Sequence, residues 1–326
     1  MSLNTTTGAL VSGAPQSASA DTAITTSGLS RTFGSVRAVD DLTIAVLSGK
    51  IFGFLGTNGA GKTTTIYLLL GLLDPTSGEA SVLGHNIRTA GALIREQSGS
   101  LLEYNGLYEQ LSAYDNLDFY GRIWGMPRAE RAKRIDELLE MFDLRGRAQD
   151  RAGTWSRGMK QKLAVARAIF HHPRLVFLDE PTDGLDPAAA AALRQDLLTL
   201  VEREGMTIFL TTHNLAEAEQ LCANVAILRS GVLLAQGSPQ ELRERTSKPQ
   251  VEVRGRGFSA AILAGLRADQ EITLLAESPT RIVFAPGAGV ETSQIVDRLV
   301  SSGVQVSEVH QMMPTFEETF LHIVGR

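Results

Sequence analysis

Cysteine is almost missing from this chain: Cys222 is the single one in 326 residues, which excludes an internal disulfide framework and suits a reducing cytosol. Long apolar runs are missing too. The longest, Ile66 to Leu73, is interrupted by Gly71 and falls far short of the roughly 20 residues that a membrane-spanning helix needs, so no bilayer crossing is expected. Met1 to Ala23 is rich in Ser, Thr, Ala and Gly and has no basic segment leading into an apolar one. A disordered tail is expected there, and no secretory signal. Positive charge is not in excess either; the net charge of −5 disfavours broad nucleic-acid binding. What remains, 43% hydrophobic and 21% charged residues, is ordinary for a globular protein, and the length suggests two domains.

The run from Gly56 to Thr63, Gly-Thr-Asn-Gly-Ala-Gly-Lys-Thr, fits G-x-x-x-x-G-K-[ST]. In that pattern glycines let consecutive backbone N–H groups turn inward around the α- and β-phosphates of a nucleotide. Ile51 to Leu55 reads as a buried strand before it, and Thr64 to Leu70 as a helix after it. The phosphate-binding set is therefore Gly56, Asn58, Gly59, Ala60, Gly61, Lys62, Thr63 and Thr64. Lys62 is expected to reach the β- and γ-phosphates and the Thr63 hydroxyl to meet Mg²⁺, with the helix dipole adding to the attraction. A second apolar run, Leu175 to Leu178, ends in Asp179 and Glu180, as a parallel strand does when it opens onto a ligand crevice. Asp179 is expected at the Mg²⁺. Glu180 then orients and deprotonates the water attacking the γ-phosphorus.

Together these residues resemble the nucleotide-binding subunit of ABC transporters over roughly Gly28 to Arg243. The resemblance implies further roles. Phe33 sits where the family places an aromatic stacked on adenine, and His213 where it places its switch histidine. Asp186 lies in the loop that crosses a dimer of such subunits. Trp155-Ser156-Arg157-Gly158-Met159 corresponds to the signature segment, usually L-S-G-G-Q, which holds the γ-phosphate of a partner's nucleotide. Ser156 and Gly158 keep that chemistry, while Arg157 replaces a glycine and leaves open a charge contact or a solvent-facing side chain. Glu103 stands where a glutamine usually senses Mg²⁺ and water; a carboxylate still coordinates the metal but donates no hydrogen bond when ionised. These departures, with Gly106 to Ser112 and the end from Met313 to Phe320, resemble exporters of the daunorubicin-resistance and sodium-extrusion type, whose membrane domains are separate chains.

The implied protein is an ATP- and Mg²⁺-dependent ATPase that closes as a homodimer, or with a paired cassette, and powers a separate transmembrane permease. It would lie peripherally on the cytoplasmic face of the cell membrane and bind no nucleic acid. A soluble ABC ATPase acting on ribosomes or DNA is the alternative, against which stand one P-loop and no heptad run.

The expected fold is α/β: a P-loop NTPase cassette of the ABC type over 24–246, with an antiparallel β subdomain and a helical insert at about 112–155. A small α+β accessory domain follows over 247–326. In the insert, Ala113 to Trp124 and Arg128 to Phe142 read as helices, and the aromatics Tyr108, Tyr114, Phe119, Tyr120 and Trp124 as mostly core, some facing a membrane partner's helix. Beyond Arg243 the pattern β-α-β-β-α-β, starting with a strand at Val251, matches a ferredoxin-like arrangement with no clustered metal ligands, read as a packing or dimer-bracing appendage, with a sensor domain as the alternative.

Overall fold

The computed structural model describes residues 22–246, 250–287, 290–312 and 314–325, and residues 1–21 of the expected tail lie outside them. Strand β1 (Thr22–Phe33) begins inside the stretch read as tail, because Ala23 and Ile24 are buried against the rest of the sheet. It pairs antiparallel with β2 (Val36–Leu42) and β3 (Ala45–Leu47). Then come β4 (Ile51–Gly56), buried along its whole length, α1 (Lys62–Leu69), β5 (Ser77–Val82), β6 (His85–Asn86), α2 (Gly91–Gln97) and β7 (Ser98–Leu101).

The helical insert supplies α3 (Ala113–Ile123) and α4 (Arg128–Met141). Ser112 caps α3 by accepting the Asp115 N–H at 3.0 Å, which starts the helix where the sequence suggests. The chain continues through α5 (Arg157–Ala168), β8 (Leu175–Asp179), α6 (Pro187–Glu204), β9 (Thr207–Thr212), α7 (Leu215–Leu221), β10 (Asn224–Arg229) and β11 (Val232–Gly237).

The sheet runs β6-β5-β1-β2-β11-β10-β4-β9-β8-β7, with β3 on β1. From β10 to β7 neighbours are parallel; β6, β5, β1 and β2 are antiparallel. The parallel half brings the C-terminal ends of β4, β8 and β9 to one edge, where open α/β sheets hold ligands. Phe52, Phe54, Phe177 and Phe209 form the aromatic centre of its core.

The insert aromatics are not core. Tyr108 is 47% exposed, and Phe119 and Trp124 each 38%. The inward face of α3 is made instead by Ala113, Asn116, Leu117 and Gly121, of which Ala113 and Gly121 are small enough to let the helix pack closely. The rings are left outside, where Tyr108, Phe119 and Tyr120 pack on one another.

The described residues divide into two compact units between Pro239 and Gln240, a division spanned by α8 (Pro239–Thr246). The second unit contains β12 (Gln250–Arg256), α9 (Ala260–Ala268), β13 (Ile272–Ser278), β14 (Arg281–Pro286), α10 (Thr292–Ser301), β15 (Gln305–Met312) and α11 (Phe316–Val324). Its sheet is antiparallel in the order β13-β14-β12-β15, the split βαβ arrangement expected. Val251, Val253, Ile282 and Phe284 form its core with Leu266, Ile295 and Leu299 of the helices.

Candidate active site

Strand β4 carries the chain to Gly56, where a Cβ would lie 2.8 Å from the Ala60 Cβ and 2.9 Å from the Leu228 carbonyl oxygen. Gly61 has a φ of +95°, and a Cβ there would lie 2.2 Å from the Ala38 carbonyl oxygen. Both positions need glycine, for close approach and for left-handed backbone. The loop between them therefore folds back so that α1 starts at Lys62 with its N-terminus facing the crevice. Lys62 is buried, and its Nζ donates to the Gly56 carbonyl at 2.8 Å while pairing with Glu180 Oε1 at 3.0 Å.

The end of β8 is held from both sides. The Thr63 hydroxyl donates to Asp179 Oδ2 at 2.7 Å, and the Thr211 hydroxyl of β9 donates to Asp179 Oδ1. Glu180 follows with a φ of +49°; its backbone N–H donates to both the carbonyl and the hydroxyl oxygen of Thr211, each at 3.1 Å. Its second carboxylate oxygen, Oε2, lies 2.9 Å from His213 Nδ1 and accepts the His213 backbone N–H at 3.2 Å. Glu180 thus has the P-loop cation on one oxygen and the half-exposed His213 on the other.

These groups border a cleft of about 990 Å³ that Glu103 also reaches, from the loop after β7. Asn58, Gly59, Ala60, Gly61, Lys62, Thr63 and Thr64 line it, and Gly56 does not. Phe33 is not among its lining residues. The Arg31 guanidinium covers the Phe33 ring at 4.5 Å, and Val36, Arg37 and Ala38 of β2 reach the cleft instead.

Ser156, Gly158 and Asp186 do not line this cleft, although Trp155 and Arg157 beside them do. Ser156 caps α5 by accepting the Met159 N–H at 3.3 Å. Gly158 lets α5 approach α6, since a Cβ would sit 2.7 Å from the Ala189 Cβ. Asp186 caps α6 through the N–H groups of Ala188 and Ala189, at 3.1 and 3.0 Å. Arg157 resolves into a contact: its guanidinium lies over Gly184, where a Cβ would fall 2.1 Å from Nη1, and 3.9 Å from Asp183.

Two supporting residues escape sequence reasoning. Thr211 is one of them. The other is Glu217, which is buried and accepts the Thr212 hydroxyl at 2.8 Å beneath the turn bearing His213. Burial pushes its carboxyl above the usual range, opposed by the Thr182 and Thr212 hydroxyls. A signal existed in Asn214-Leu-Ala-Glu217, which has the spacing of a helix cap followed by an acid.

With this geometry in place, comparison with known proteins is specific. The sequence profile of the family described as ABC transporter matches residues 39–183. The daunorubicin resistance ATP-binding protein DrrA3 of Streptomyces coeruleorubidus is 34% identical, covering 94% of this chain and 97% of its own. The bacitracin transport ATP-binding protein BcrA of Bacillus licheniformis is 42% identical, covering 70% of this chain and 73% of its own. Among solved structures, cbiO1 of Clostridium perfringens, part of the ABC transporter complex cbiONQ, superposes with a TM-score of 0.64 at 26% identity, over 68% of this chain and 90% of that one. A glycine-built loop at a strand end, an acid pair beside it and a relative 34% identical almost end to end lead to one conclusion: this chain belongs to the ABC transporter family, as an ATP-binding subunit that hydrolyses ATP.

Proposed function

We propose that this subunit powers export through a separate membrane permease, with Lys62 and Thr63 holding the nucleotide phosphates and Glu180 as the base that activates water. The observation that carries this reading is the convergence on one strand edge of Lys62, Glu180 and His213 with the Thr63 and Asp179 pair. The Thr63 hydroxyl and the Asp179 carboxylate, 2.7 Å apart, are hard oxygen donors beside the phosphate cradle and fit Mg²⁺ completed by water and phosphate oxygens. When bound, the metal neutralises charge on the β- and γ-phosphates. Lys62 would hold the γ-phosphate, and Glu180, held by His213, would orient a water.

Ser156 and Asp186 are exposed, and with Gly158 they lie off their own chain's cradle. This supports their serving the nucleotide of a second copy or a paired cassette in a head-to-tail dimer. Tyr104 at 81% exposure, with Tyr108, Phe119 and Ile123, offers an apolar surface for the permease, which would hold the subunit on the inner face of the membrane. We take 24–246 as the cassette and 247–326 as its accessory domain. The names of the relatives, daunorubicin resistance and bacitracin transport, favour a drug-like cargo over a ribosomal or DNA task. Co-expression with a cognate permease, followed by membrane fractionation, tests the reading. Recovery with membranes only when the permease is present supports it; co-sedimentation with ribosomes regardless of the permease overturns it.

A further inference from the structure

The second unit has a cleft of about 620 Å³ at the end of its sheet, far in character from the nucleotide cradle. Its charged lining residues are Arg254, Arg256 and Arg281, and Thr280, Gln305 and Ser307 add polar groups. Among the described residues no carboxylate lines it. Arg254 and Arg281 are directly opposite partners in the β12–β14 pairing, a juxtaposition of like charges that costs stability unless something offsets it. Glu252 offsets part of it. Buried beneath, its Oε1 accepts from Nε of Arg254 at 3.2 Å and from Nε of Arg281, which leaves the terminal amines of both guanidinium groups directed elsewhere. Arg254 also approaches Glu308, at 3.9 Å. Arg256, two residues along the same strand face, is exposed and has no acidic partner among the described residues.

The backbone is shaped for this cluster. The β12–β15 register shifts between Arg254, opposite Glu308, and Gly255, opposite Val306, which inserts Ser307 as a bulge, a device that re-aims side chains near sites. At that bulge a Cβ on Gly255 would lie 2.4 Å from the Gln305 carbonyl oxygen, so the close approach requires glycine. Two carboxylates, Glu252 and Glu308, leave one of the three guanidinium charges unbalanced, and planar forks with neighbouring hydroxyls match the oxygens of a tetrahedral anion.

We infer that this cleft binds a phosphoryl group, carried either by a soluble phosphorylated molecule or by a lipid headgroup, at a site independent of the ATP cradle. The test uses the full chain saturated with ADP, so that the P-loop is filled. Pyrophosphate binding is measured by calorimetry, and co-sedimentation is measured with phosphatidylglycerol and with phosphatidylcholine vesicles. Arg256→Gln, at an exposed position that does not endanger folding, should weaken the binding about tenfold, the loss of one charge-assisted contact. Arg256→Lys should weaken it less. Arg267→Gln, which removes the same charge from α9 on the other face, should leave it unchanged. Binding of pyrophosphate alone identifies a soluble ligand, and binding of phosphatidylglycerol vesicles alone a headgroup. If neither binds the wild-type chain, if Arg256→Gln binds as well as wild type, or if Arg267→Gln loses as much, the inference is overturned.

Discussion

The Lys62 ammonium lies 3.0 Å from the Glu180 carboxylate, so the cation proposed for phosphate and the acid proposed for water neutralise each other beside the loop. Lys62→Ala should abolish ATP hydrolysis and weaken nucleotide binding, since it removes both the phosphate contact and the partner of a half-buried acid. Steady-state turnover and fluorescent-nucleotide titration check this; unchanged turnover would disprove the phosphate assignment.

Glu180→Gln keeps the shape of the side chain and loses the base. Nucleotide binding should persist while hydrolysis slows by at least roughly 10²-fold, and the protein should accumulate as an ATP-bound dimer. Light scattering in Mg-ATP reads the mass directly, and a monomer there would count against the head-to-tail arrangement.

Ser156→Arg should leave ATP binding by a single chain nearly intact yet stop hydrolysis, because the exposed Ser156 stands off its own cleft. The lost α5 cap should cost about 1 kcal/mol of stability. Loss of single-chain binding would show instead that the segment serves its own nucleotide.

His171 stacks on Trp124 with ring centroids 3.9 Å apart, and burial lowers its pKa to about 4, opposed by its bond to the Ser98 carbonyl. The folded state therefore favours the neutral ring. Its contribution to stability is fully present above the unfolded value of about 6.5 and is lost as pH falls through about 4. The melting temperature of wild type should drop more between pH 7 and pH 4 than that of His171→Gln, and Trp124 fluorescence in a Trp155→Phe background should report the same step. Parallel pH profiles for the two proteins would refute it.

The turn of the loop was legible because it depends on backbone approach, and only glycine at Gly56 and Gly61 permits it. The strands around it were legible for a related reason: buried parallel strands are continuous apolar runs, as Ile51 to Leu55 and Leu175 to Leu178 are. The aromatics of the insert were not, since composition cannot say which side of α3 a ring takes when small residues such as Ala113 and Gly121 claim the inner face. Nor could order along the chain tell that β2 turns Val36 to Ala38 toward the cleft while Arg31 covers Phe33. Glu217 was hidden because a helix acid ordinarily looks like surface, and its burial depends on Thr212 arriving from another element.

The backbone at Glu180 is left-handed, a conformation that costs a side-chain-bearing residue roughly 1–2 kcal/mol relative to glycine. Glycine there would remove that cost, but it would also leave the buried Lys62 ammonium without the carboxylate 3.0 Å away, a larger loss, so the ion pair holds residue 180 in a backbone conformation that its side chain disfavours.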